Sequence, residues 1–226
     1  MTFKEFVKSL NNNEAEGELV KTIIYSVIAS ALMLGLLYLV KLKDIPEFFP
    51  KYGLYIFLSM ISFSFIAGSV KHVKNFKGIM CMSGMMVGMT IGMISGFLAG
   101  AYTGAINGMF FGRVFGMAVG ILIGVWTGKC CGIMGIMEGA MAGFMGGLMG
   151  AMTSLMLLND HLKYIIIISF LICSSILFGL SYMIYTETRE AERKQEGYFV
   201  YVSLAVLLTY ATTLFIIFGP RGGIFA

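Results

Sequence analysis

From Gly84 to Gly132 every fourth residue is glycine, thirteen in one unbroken register. That spacing commits the chain to helices, because positions without a side chain recur nearly once per turn and let one backbone lie close against another. Each step of four residues advances about 400°, so successive glycines drift by about 40° around the helix. Between Gly84 and Gly100 the stripe therefore winds through about 160°. A single flat partner cannot cover it, and right-handed crossings with more than one neighbouring helix are expected. As one helix the 49 residues of the tract would reach about 73 Å, more than twice a hydrocarbon core of about 30 Å, so the tract must fold back. Its least apolar stretch, Tyr102 to Asn107, is where the reversal is expected. A five-span arrangement with a partly re-entrant tract is the alternative.

The rest of the chain reads as membrane too. Only 12% of its 226 residues are charged and 58% are hydrophobic, against roughly 25% charged in soluble domains. The expected fold class is all-α, a polytopic transmembrane helix bundle of about seven spans with a glycine-zipper core. The spans are drawn at Thr22–Val40, Tyr52–Val70, Ile79–Ala101, Gly108–Gly128, Cys131–Leu158, Tyr164–Tyr185 and Tyr198–Phe218. Grouped by composition, residues 1–21 form an N-terminal segment and 22–70 the first two helices. Residues 79–158 are the Gly/Met-rich core of three helices, 164–218 the last two, and 219–226 a C-terminal tail. The core should hold the interior of the bundle, with Gly84, Gly88, Gly92, Gly96, Gly112, Gly116, Gly120, Gly124, Gly139, Gly143 and Gly147 as its packing positions. The Ile/Leu/Phe-rich first, second, sixth and seventh spans should face lipid.

Residues 1–21 carry seven charges and no short apolar region with a small-residue cleavage site, so the first span is expected to remain as an uncleaved anchor. On the N-terminal side of this layout lie ten Lys and Arg, and on the other side five. That bias places the N-terminus in the cytoplasm and the C-terminus outside. Cys81, Cys130 and Cys131 then sit at the cytoplasmic end, where thiols stay reduced. No clustered basic face suits nucleic acid.

Fifteen of the nineteen methionines fall between Met80 and Met156. In the third span Cys81, Met85, Met89 and Met93 repeat at four, with Met82 and Met86 beside them. In the fifth, Met134, Met137, Met141, Met145, Met149, Met152 and Met156 make one stripe. Thioethers and thiolates suit soft ions such as Cu(I). The candidate metal ligands are Cys81, Met82, Met85, Met89, Cys130, Cys131, Met134, Met137, Glu138 and Met141. Methionine also fills the irregular gaps that glycine leaves, and packing alone is the competing reading; Cys173 is assigned to packing. Glu138, two turns into the fifth span, is a functional candidate because a carboxylate at that depth is costly. Arg113 is expected to reach the outer interface, and His72 to contact head groups.

Met85-x3-Met89 and Met141-x3-Met145, beside Gly-x3-Gly repeats, are similar to the MxxxM and GxxxG elements of Ctr-type copper permeases. The similarity covers a few helical turns. That family places methionine rings along a trimeric pore for Cu(I), so the resemblance implies Cu(I) ligands at these methionines and a homo-oligomer. The central tract also resembles uncharacterised Met/Gly-rich prokaryotic membrane proteins associated with cupredoxin-containing copper systems. This second likeness implies a prokaryotic plasma membrane and a copper-binding partner protein. Phosphate-binding loops, HExxH, nucleophile elbows and paired carboxylates are missing, and no enzyme is expected. The function expected is an integral membrane protein that binds or translocates Cu(I) along Met/Cys-lined helices. The alternative is a structural or assembly protein whose glycine core packs helices or subunits, with methionine as filler.

Overall fold

In a bilayer every backbone amide and carbonyl must be satisfied within the protein, so apolar segments of this length become helices even when rich in glycine. The computed structural model describes residues 15–39, 52–75, 81–129, 132–157, 161–187 and 197–219. Among them are seven α-helices: α1 Ala15–Leu37, α2 Leu54–Lys74, α3 Cys81–Asn107, α4 Met109–Gly128, α5 Gly132–Met156, α6 Leu162–Glu187 and α7 Tyr198–Phe218. All seven are long and apolar enough to cross a membrane. The three prolines, Pro46, Pro50 and Pro220, fall outside them. The expected seven-span helical bundle is what the structure has.

The reversal inside the glycine tract is sharper than expected. Tyr102 to Asn107 continue α3 as helix, and a single residue, Gly108 at φ 96°, turns the chain into α4. Polar side chains are what made the stretch look like a loop, and within the helix each finds a bond. Thr103 Oγ1 donates to Ala99 O at 2.7 Å, and Asn107 Nδ2 donates to Phe215 O at 2.5 Å. Tyr102, fully buried, holds its hydroxyl 2.7 Å from Ser62 Oγ on α2. A left-handed φ such as that of Gly108 is open to glycine at little cost.

Helices α3, α4 and α5 pack on one another, α3 and α5 running the same way and α4 opposite. Their small residues meet in five successive layers: Gly88/Gly128/Gly135, Gly92/Gly124/Gly139, Gly96/Gly120/Gly143, Gly100/Gly116/Gly147 and Gly104/Gly112/Ala151. A methyl group added at Gly92 would stand 2.9 Å from Gly139 O on α5 and 3.0 Å from the Gly124 Cα on α4. The winding stripe thus serves two partners. Of the expected packing glycines, Gly84 is buried at the start of α3, and the other ten all lie in these layers. Gly146 and Gly150 add a second row on α5, where an added methyl would strike the backbone carbonyls of Met93 and Phe97.

The interior is not where the composition placed it. The most enclosed span is α2, 78% buried, followed by α3 at 67%; α4 and α5 are only 33% buried. Helix α2 packs against α1, α3, α6 and α7, whereas α5 packs chiefly on α3 and α4. The expectation that the second span faces lipid is therefore overturned, as is the interior placement of α4 and α5. Two properties of α2 permit its burial. Its serines are small and bond back to their own helix, as Ser59 to Ile56 O, Ser62 to Leu58 O and Ser64 to Met60 O. Its larger residues, Phe63, Ile66 and Val70, then fill the space between neighbours with no exposed surface.

Candidate functional site

A glycine stripe down one side of a helix leaves the remaining side chains to the other side, and on α3 and α5 these are the methionines. Met134, Met137 and Met141 of α5 are 64–68% exposed, and Met145, Met149, Met152 and Met156 continue the same open face. Glu138 sits partly buried at the edge of that face. On α3 Met82, Met86, Met89 and Met93 also point away from the glycine layers, and Met85 is partly buried. The axis of the three-helix unit is closed by backbone at every layer, so both methionine rows run along its outside. Cys81 opens α3, but its side chain, like Cys130 and Cys131, lies outside the described residues.

The α3 row does acquire a sulfur neighbour. Met86, Met89 and Met93, with Thr90 and Phe97, form one wall of a groove of about 560 Å³. Its other wall is α6, through Ser169, Ile172, Cys173 and Ile176. Cys173 is a buried free thiol. Sequence spacing assigned it to packing because nothing on α6 repeats with it; only the docking of α6 beside α3 brings it to the methionines. Among the described residues no three His, Cys, Asp or Glu side chains cluster as a metal site would require.

A second polar constellation lies at the end of the bundle where α2 and α4 finish and α1 and α7 begin. Lys71, 1% exposed, donates from Nζ to Thr22 Oγ1 of α1 at 3.2 Å and stands 3.1 Å from the centroid of the Tyr198 ring of α7. Lys74 places its ammonium 3.8 Å from the Trp126 ring centroid, and Trp126 in turn stacks on Tyr201 at 5.9 Å. A cation over an aromatic face is held by the ring quadrupole, more firmly where water is excluded. His72 is 3% exposed, which corrects its expected contact with head groups, and Lys71 belongs to the buried helix rather than to a loop. The cause is common to both: α2 is enclosed to its last turn by α1 and α7, so side chains there meet protein before they meet lipid.

Seven apolar helices, three of them locked together by glycine layers, define an integral membrane protein of the multi-pass helical class. No protein-family model matches the chain, and searches of curated proteins and of solved structures return no match.

Proposed function

We propose that the protein is a non-catalytic membrane scaffold, in which a glycine zipper locks α3, α4 and α5 into one stiff unit and the methionine face of α5 docks another subunit within the bilayer. One observation carries this reading. Along α5 the glycines from Gly135 to Gly150 are buried against α3 and α4 while the methionines opposite them stand open along the helix. Helix association in lipid depends on close packing, and a row of flexible, polarisable thioethers adapts to an irregular partner surface. A homo-oligomer is the simplest assembly that such a face supports. The basic residues favour a cytoplasmic N-terminus, and the likeness of the central tract to Met/Gly-rich prokaryotic membrane proteins favours a prokaryotic plasma membrane. To test the scaffold, place single cysteines at Met141 and Met145 in a cysteine-free chain and oxidise intact membranes. Cross-linked dimers at these positions, absent for a cysteine at Phe57 on α2, are expected; equal cross-linking at all three sites, or none at 141 and 145, counts against the reading.

A second reading, Cu(I) as cargo, draws support from the groove that gathers Met86, Met89, Met93 and Cys173. Thioether and thiolate ligands suit Cu(I), and a copper-binding protein would be the natural donor or acceptor. Anaerobic titration against a competing chelator tests it. Binding that weakens when Cys173→Ser is combined with Met89→Leu supports cargo handling, and binding unchanged by that pair removes the groove from consideration.

A further inference from the structure

Helices α1 and α7 start at the same end of the bundle, run in the same direction and leave a trough between them. Its first part encloses about 660 Å³, bounded at the mouth by Lys21, Tyr25 and Tyr198. Its second part, about 480 Å³, continues past Met33, Val206 and Leu207 to Tyr210. Ala29, Phe199 and Val202 line both parts, which are therefore one channel along the surface. From Lys21 to Met33 the trough is about 18 Å long at 1.5 Å per residue. One leaflet contributes half of a hydrocarbon core of about 30 Å, so the trough begins at the interface and ends near the midplane.

The mouth is built rather than incidental. Lys71 reaches from α2 to Thr22, the neighbour of Lys21, and lies under the ring of Tyr198 on the other wall. It thereby fixes the two sides of the opening and adds a second positive charge behind the first. Beyond the first turn the lining turns apolar, with Ser203 the one small hydroxyl on the α7 wall.

A ligand that satisfies both regions must carry an anionic, hydrogen-bond-accepting head and a chain of one-leaflet length. We infer that the α1–α7 trough binds a single phospholipid with a net anionic head group. Its phosphate lies at Lys21 and the Tyr25 and Tyr198 hydroxyls, and one acyl chain lies along Ala29, Val202 and Val206. A zwitterionic head brings its own cation toward Lys21, with Lys71 behind it, and is disfavoured. The basic end selects the head group, and the trough supplies the hold.

The test uses the purified full-length chain, stripped of lipid in detergent and offered equal amounts of phosphatidylglycerol and phosphatidylcholine, with retained lipid counted by native mass spectrometry. One phosphatidylglycerol should be kept over phosphatidylcholine by about fivefold, the factor that one basic residue near an anionic surface is worth. Lys21→Gln should erase that preference while a lipid is still retained. Ala29→Trp, which fills the trough, should remove the lipid, whereas Ser169→Trp in the α3–α6 groove should leave it. A photoreactive acyl chain on phosphatidylglycerol should label residues 202–206 of the unaltered protein, a readout that needs no variant to fold. Equal retention of the two lipids, retention by a folded Ala29→Trp chain, or labelling elsewhere would overturn the assignment. Excess inorganic phosphate should not displace the lipid; displacement would make the mouth a site for free anions and would overturn it as well.

Discussion

Gly96 occupies the middle of the five glycine layers, and its replacement by alanine isolates what close backbone packing contributes. A methyl group there would stand 2.7 Å from Gly143 O, 2.9 Å from Gly147 N and 3.3 Å from Gly116 O. All three are backbone atoms of facing helices, so no side chain can swing aside. Ordinary contact begins near 3.4 Å, which leaves the α3–α5 seam about 0.7 Å too narrow, and opening it by that much forfeits a quarter to a half of each dispersion contact along it. Overpacking of this size costs about 2 kcal/mol. Alanine regains about 1 kcal/mol through its higher helix propensity, so the expected net loss is about 1 kcal/mol. Gly179→Ala on α6 is the matched control, because a methyl there meets nothing within 4 Å. It keeps the propensity gain alone, and the two variants should differ by about 2 kcal/mol. Equilibrium unfolding in mixed micelles of rising SDS fraction, followed by circular dichroism, measures the difference. A Gly96→Ala protein as stable as Gly179→Ala would refute the claim that these layers are held by backbone contact.

Three further outcomes are expected. Lys74→Gln removes the cation above Trp126, the single tryptophan of the chain, so it should shift the emission of the whole protein and cost about 1 kcal/mol; unchanged emission would deny that contact. Ser62 donates its only proton to Leu58 O, which makes Tyr102 the donor between them. Tyr102→Phe should then cost about 1 kcal/mol and Ser62→Ala about 2 kcal/mol, because the second leaves a buried hydroxyl without its acceptor; the reverse order in the same micelle assay would contradict this assignment. For orientation, single cysteines at Ser9, Lys129, Asp160 and Gly223 in a cysteine-free chain can be labelled on intact cells with an impermeant thiol reagent. Positions 160 and 223 should react and 9 and 129 stay protected; labelling at 129 together with 160 would contradict the orientation derived from the basic residues.

Much of this architecture is written in the chain at short range. Span number follows from runs of apolar residues long enough to cross the bilayer, a property summed along sequence; most helix limits lie within about four residues of the expected ones, while α1 starts at Ala15 rather than Thr22 and α3 runs on to Asn107 rather than Ala101. The packing surface is legible as well, because a glycine every fourth residue has few uses in a helix apart from close approach. What sequence could not rank was inside against outside. Lipid tails and a membrane protein's interior are both apolar, so hydropathy does not distinguish a buried span from an exposed one. Hence α2, with its serines, took the interior expected of α4 and α5. For the same reason the methionine rows could be drawn as stripes without a direction. Only the glycine contacts of the neighbouring helices turned them outward, and only the placement of α6 set Cys173 beside Met86, Met89 and Met93. His72 was read as interfacial, and the span drawn to Val70 left Lys71 just beyond it, because charge near a span end usually marks the membrane surface. Their burial depends on α1 and α7 closing over the last turn of α2, through Thr22, 49 residues before Lys71, and Tyr198, far along the chain after it, contacts that no local pattern encodes.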